Sequence, residues 1–266
     1  MLIIEAVKMF QIIPTPNYAG FELRGDSSDF KSLLSAIYYL DNEEYLSRFG
    51  YHDPMNYFFG FAYEARYALE GRRGFVCMDN HSKLWNYPNK MKLFPEVPEK
   101  NLYYAVRIPA VSLLFYIFVS DEIIALDRRF REEARNDLTE RAEKESAEAL
   151  FQFLSVSVFH ALDAMIGMKE RIILQECLAF ERVNNFYLFR NYLTSYTDLL
   201  NEMYLSLTKL RRKRLLSAIL KDMICYAKND TYLQIERNVR AWTQVRKISA
   251  GTVKFAGYID WNKINW

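Results

Sequence analysis

Proline and glycine, the residues that most often interrupt helices, are unevenly distributed along this chain. The 266 residues include only 9 glycines, and the 7 prolines are concentrated before residue 110. Proline has no backbone N–H to donate and breaks a helix interior, so it limits the length of the elements around it. We therefore expect short elements and turns up to residue 110, followed by long uninterrupted helices.

Hydrophobic periodicity divides the chain at a similar point. Residues 10–25 predict two short strands around a loop, and residues 102–108 predict a strand before an apolar helix. Asp26 and Asp53 stand where helix N-caps are expected, and Pro54 suits a first helical position. Residues 187–228 have apolar residues at helical spacing and predict one long helix.

The predicted fold class is α+β. A small antiparallel sheet with helices occupies the N-terminal part, and a mainly helical C-terminal part follows it. We place an α+β domain at residues 1–125 and a helical domain with a basic C-terminal surface at residues 126–266.

Composition narrows the protein class. Hydrophobic residues make up 51% of the chain and charged residues 26%, which is typical of a globular protein. Cys77, Cys177 and Cys225 are widely spaced and form no CxxC pair, so we expect reduced, buried thiols in a cytoplasmic protein. The apolar run at residues 108–120 is shorter than the roughly 20 residues that a membrane helix needs. We predict neither a membrane partner nor a cofactor.

Charge is strongly asymmetric along the chain. Residues 205–266 contain 13 Lys and Arg against 4 Asp and Glu, a net charge of +9. Because the whole chain carries +2, residues 1–204 must carry −7 (2 − 9). The C-terminal segment is therefore the predicted binding surface for an acidic partner.

Cations alternate with aromatic residues in this segment, a pattern that suits phosphate contacts combined with base stacking. Apolar residues at helical spacing run through the same segment, so the arginines at 211, 212 and 214 are expected to project outward from a helix. The predicted nucleic-acid-binding residues are Arg211, Arg212, Lys213, Arg214, Arg240, Trp242, Arg246 and Lys247.

Residues 127–148 form a second charged segment, with acidic and basic residues interleaved. One interpretation is a solvated helix face stabilised by pairs of opposite charge four residues apart. The other is a contact with the basic C-terminal segment, in the same chain or in another subunit. The sequence leaves both open.

Few residues suggest catalysis. Cys77 and His81 could form a nucleophile–base pair, although no orienting partner is identified. His160 and Asp163 lie one helical turn apart, where a core histidine bonded to its neighbour is expected. The chain contains none of the HExxH, P-loop, GxGxxG or GxSxG motifs. No catalytic or metal-binding residues are predicted, and the chain is more consistent with a non-enzyme.

Three segments carry a resemblance to a known family: residues 14–20, Gly25-Asp26 before a helix, and residues 101–106 before an apolar helix. In these segments the chain resembles an uncharacterised bacterial family, a domain of unknown function, over residues 9–165. The basic segment lies outside that range. The resemblance implies a bacterial or phage-related origin and no particular activity.

Three hypotheses follow. The first is a non-catalytic binding protein that acts through a protein partner or as a homo-oligomer, in a toxin–antitoxin or phage-defence setting. The alternative is a protein that binds DNA or RNA through its basic helices. The third is a cryptic hydrolase at Cys77 and His81.

Overall fold

The computed structural model describes residues 10–41, 43–79, 100–133, 138–248, 250–253 and 263–266. Within these residues the chain forms four strands, nine α-helices and two short 3-10 turns. In chain order the strands and α-helices are β1 (Gln11–Pro14), β2 (Gly20–Gly25), α1 (Ser27–Leu40), α2 (Glu43–Arg48), α3 (His52–Leu69), β3 (Gly74–Asp79), β4 (Lys100–Pro109), α4 (Ala110–Glu133), α5 (Leu138–Ile166), α6 (Met168–Asn184), α7 (Thr194–Leu205), α8 (Lys209–Ile224) and α9 (Asp230–Arg246).

The four strands form one antiparallel sheet in the order β1-β2-β4-β3. Phe21 is paired with Ile108 across β2 and β4, and both side chains are fully buried on the face that meets the helices. On the opposite face Glu22 is paired with Arg107, whose Nε lies 2.8 Å from the carboxylate. This alternation is the period of two that a half-buried sheet requires. Together with the mostly helical C-terminal region, the sheet confirms the predicted α+β class.

Helix α1 begins where the sequence predicted. The Asp26 carboxylate accepts hydrogen bonds from the backbone of Ser28 and Asp29, and the Asp29 carboxylate accepts one from the Asp26 backbone at 2.8 Å. This reciprocal capping satisfies donors that the first turn leaves unpaired. The predicted start of α3 is wrong by two residues, because Tyr51 and not Asp53 is the N-cap. Tyr51 is buried and its hydroxyl donates to Glu122 at 2.7 Å, so a tertiary contact determines where α3 begins.

The helical part packs directly onto the sheet and its helices. Helix α5 contacts α1 and β1, and residues from both halves of the chain contribute to one hydrophobic core. The predicted domain boundary at residue 125 lies inside α4, whose residues 110–120 are all buried. The division into two domains stays a prediction.

The single long helix predicted for residues 187–228 is wrong. The structure has a turn-rich segment up to Leu193, then α7, a break at residues 206–208, and α8. Tyr187 and Asn191 have φ angles of 59° and 56°, outside the helical region. Their segment is held by partners from elsewhere: Asn191 N–H donates to the Gly50 carbonyl and Phe189 N–H to the buried Glu122 carboxylate.

One helical window in the described part of the chain, Glu145–Ile166 in α5, is long and apolar enough to cross a membrane by length and composition. Core helices of soluble proteins meet the same criteria. In this protein α5 packs against α1, α4, α6 and α8.

Candidate nucleic-acid interface

The first turns of α8 carry a dense group of exposed cations, Lys209, Arg211, Lys213 and Arg214, which we call the basic ridge. Within the part of the chain that the structure describes, none of the four forms an ion pair with a carboxylate. Cations at a helix N-terminus are also disfavoured by the helix dipole, typically by about 0.3–1 kcal/mol each. The ridge therefore concentrates positive charge that the described residues do not neutralise.

Arg212 is the exception among the predicted outward-facing arginines, and that prediction is wrong. Its side chain is 4% exposed. The guanidinium donates to three backbone carbonyls, those of Asn17 at 3.2 Å, Asn265 at 2.9 Å and Leu205 at 2.6 Å. These carbonyls belong to the β1–β2 loop, the chain's C-terminal residues and the end of α7. Arg212 therefore joins three segments and fixes the base of the ridge.

Tyr18 adds an aromatic ring to the ridge. It occupies the β1–β2 loop with φ 54°, a left-handed conformation that is uncommon for a bulky residue. Its carbonyl accepts a hydrogen bond from the Tyr204 hydroxyl, and its ring lies 5.4 Å from Lys209 Nζ and 5.8 Å from Lys213 Nζ. Tyr18 was not predicted as a site residue, because nothing in its local sequence indicates that the β1–β2 loop meets α8.

The other four predicted nucleic-acid-binding residues come later in the chain than the basic ridge. Arg240, Trp242 and Arg246 lie on α9, and Lys247 is its C-cap. Arg240 is paired with Glu236 of the same helix at 2.5 Å. Trp242 is 46% exposed, and the Arg246 guanidinium lies 5.2 Å from its ring centroid. Lys247 is exposed at the C-cap of α9. Trp242, Arg246 and Lys247 thus remain accessible, whereas Arg240 is already engaged.

A groove between α5 and α6, about 480 Å³ in volume, holds the other notable group of charges. Asp163 lies 2.7 Å from Arg171 and 4.0 Å from His160. The His160 side chain is 90% exposed, so the expectation of a core histidine is wrong. The residue lies on the solvent side of α5, and the principal partner of Asp163 is an arginine that the sequence did not indicate.

A buried ionic cluster lies behind this groove. The Glu122 carboxylate accepts hydrogen bonds from the Tyr51 hydroxyl, the Phe189 backbone and Arg182. Burial raises the pKa of Glu122 despite the opposing charge of Arg182, and it also raises the pKa of Tyr51. Perturbed groups can mark active sites. Here each polar contact joins separate elements, so the cluster is explained as a structural connection.

The remaining sequence candidates are only partly described. Cys77 is exposed on β3, and His81 lies outside the described residues. Most charged side chains of residues 127–148 also lie outside them, but Glu148 is buried and lies 2.8 Å from Arg128. Among the described residues, no group of three or more potential metal ligands is found.

Comparison with known proteins gives one match. The model of a family described as a domain of unknown function, DUF6904, matches residues 10–266. The match extends beyond the predicted range of residues 9–165 and includes the basic segment, which was predicted to lie outside the family. No curated protein and no solved structure matches the chain.

Proposed function

This chain belongs to the DUF6904 family, and we propose that it is a non-catalytic nucleic-acid-binding protein that contacts phosphates through the basic ridge. The supporting observation is the combination of four exposed cations, which no described carboxylate neutralises, with a base that Arg212 holds in place. A buried arginine that joins three segments holds the start of α8 in place.

Rigidity matters because disordered lysines and arginines lose conformational entropy when they bind. In the ridge, Arg212 fixes the helix start, and Tyr18 contacts Lys209 and Lys213. Less ordering is therefore required on binding. Neutralising phosphates also releases condensed counterions, which gives affinity without sequence recognition.

An aromatic ring between cations favours nucleic acid over an acidic protein. Tyr18 is partly exposed beside Lys209 and Lys213. Trp242 is exposed beside Arg246 and supplies a second surface of the same type. Such rings can stack on unpaired bases, with a contribution of about 1–3 kcal/mol per base. We propose single-stranded DNA or RNA as the preferred ligand.

The test is fluorescence anisotropy with labelled single-stranded and double-stranded oligonucleotides over a range of salt concentrations. The wild type should bind, more weakly as salt rises. Changing Arg211, Lys213 and Arg214 together to Gln should reduce the slope of log K against log salt on double-stranded DNA by about 3, since each lost phosphate contact removes about 0.9.

A control variant removes the same number of positive charges from other surfaces of the protein. Lys31, Lys100 and Arg190 are exposed and lie outside the ridge, and changing them to Gln alters the net charge by the same amount. This variant should keep most of the salt slope. Equal losses in the two variants would mean that net charge alone attracts the ligand, and absence of binding at low salt would refute the proposal. The cytoplasmic, bacterial and phage-defence setting stays a prediction.

A further inference from the structure

Helix α6 has apolar residues on its outer face as well as on its buried face. Leu174 and Leu178 point into the core. On the opposite side Met168, Ile172 and Val183 are 62%, 42% and 84% exposed. A surface helix normally carries polar residues there.

One exposed apolar residue of α5 lies across the charged groove from α6. Val156 of α5 is 70% exposed, and it lines the groove between α5 and α6 together with Ala179 of α6. Contiguous exposed apolar surfaces on soluble proteins commonly mark interaction sites. We call the surface formed by Val156, Met168, Ile172, Ala179 and Val183 the α6 face.

Two charges accompany the α6 face, and they are opposite in sign. Lys169 and Glu176 are exposed on α6, seven residues and therefore about two helical turns apart. Among the described residues neither has an oppositely charged partner.

We propose that the α6 face is the interface of a symmetric homodimer in which α6 packs antiparallel against α6 of a second copy. A two-fold axis close to Ile172 places Lys169 of each copy opposite Glu176 of the other, so two reciprocal ion pairs flank an apolar centre. A symmetric interface requires a surface that complements itself. Lys169 and Glu176 lie at equal distances on either side of the proposed axis, so the surface complements itself. For this reason we assign the α6 face to a second copy of the chain.

This inference is independent of the proposed nucleic-acid binding and is tested without nucleic acid. Sedimentation equilibrium over roughly a hundredfold range of protein concentration should show a reversible monomer–dimer equilibrium. Ile172→Glu should weaken the dimer by at least about tenfold, because it places a charge at the apolar centre. Val245→Glu is the control, since Val245 is 81% exposed on α9 and lies outside the α6 face.

Charge reversal tests the arrangement directly. Lys169→Glu and Glu176→Lys should each weaken dimerisation, since symmetry gives two like-charge contacts per substitution. The double variant with both changes should restore it, because the pairs re-form with exchanged signs. A merely structural role for either residue would not produce this rescue.

The proposal is overturned if the wild type is monomeric throughout, as it would be if another part of the chain covers the face. Dimerisation that Ile172→Glu leaves unchanged, or failure of the double variant to recover, would also overturn it.

Discussion

At the scale of single residues, Arg211 and Arg212 have the same chemistry and opposite environments. Arg211 is exposed in the basic ridge, whereas Arg212 is buried and donates to three carbonyls. Hydrogen bonds from charged donors are worth about 1.5–3 kcal/mol each, and buried acceptors that lose them are costly. The two residues should therefore affect different properties of the protein.

We predict that Arg212→Ala lowers the free energy of unfolding by about 3 kcal/mol or more, because three carbonyls lose their donor. Arg211→Ala should change it by less than about 0.5 kcal/mol, as is usual for exposed positions. Urea denaturation followed by circular dichroism measures both. Similar losses in the two variants would contradict the assigned role of Arg212.

Asp29 gives a prediction for pH dependence. Burial raises the pKa of its carboxyl from 3.8 to about 6. The folded protein then holds this proton at pH values where the unfolded chain has released it. The stabilisation from Asp29 is thus fully present below pH 3.8 and is lost as the pH rises through about 6. Asp29→Asn removes this dependence on pH. The stability of the variant relative to wild type should therefore increase as the pH rises from about 4 to about 7. Urea midpoints at several pH values measure the difference, and a constant difference would contradict the prediction.

At the scale of secondary-structure elements, α6 and the end of α8 meet through two cysteines. The sulfur atoms of Cys177 and Cys225 are 3.3 Å apart, farther than a disulfide bond of about 2.05 Å but close enough to form one with a small shift. This contact joins helices that are distant in the sequence. Cys77 is exposed, and Cys177 and Cys225 are only partly buried, so the expectation of buried thiols is wrong. The proximity of Cys177 and Cys225 was not predictable from their spacing in the sequence.

We predict that hydrogen peroxide converts Cys177 and Cys225 into an intrachain disulfide. Each thiol loses one hydrogen, and the peroxide is reduced to two water molecules. The reaction should accelerate with rising pH, because burial raises the pKa of Cys225 to about 12 and thiolate is the reactive form. Peptide mapping by mass spectrometry identifies the bond. Cys177→Ser should abolish it and Cys77→Ser should not, since Cys77 lies on β3. Oxidation confined to Cys77 would contradict the prediction.

At the scale of the whole molecule, the sheet and the later helices share one hydrophobic core. Helix α5 packs against α1 and β1, and α4 passes through the predicted boundary at residue 125. Because the sheet and the later helices pack against each other in this core, unfolding of either part removes contacts that stabilise the other. Cooperative unfolding is the usual behaviour of such a core.

We therefore expect one unfolding transition in urea. Far-UV circular dichroism reports the helices, and near-UV circular dichroism reports buried tyrosines such as Tyr51 and Tyr192, which come from different halves of the chain. The two signals should give the same midpoint. Two separate transitions would instead support the predicted domains 1–125 and 126–266.

The sequence by itself determined the class of the fold, the two strands within residues 10–25, the strand at residues 102–108 and the start of α1. These features depend on neighbours along the chain: breakers limit element length, alternation indicates strands, and Asp26 caps its own first turn. It also indicated the exposed positions of Arg211, Lys213 and Arg214 in the basic ridge, because these side chains remain in solvent.

Only the tertiary structure decided which residues are buried within those elements and where helices end. The break near Asn191, the burial of Arg212 and the meeting of Tyr18 with Lys209 each depend on a partner far away in the chain. Local periodicity places Arg212 on a helix among other cations, where all should face solvent. Its burial becomes favourable only after folding brings three carbonyls from three segments within hydrogen-bond distance of its guanidinium.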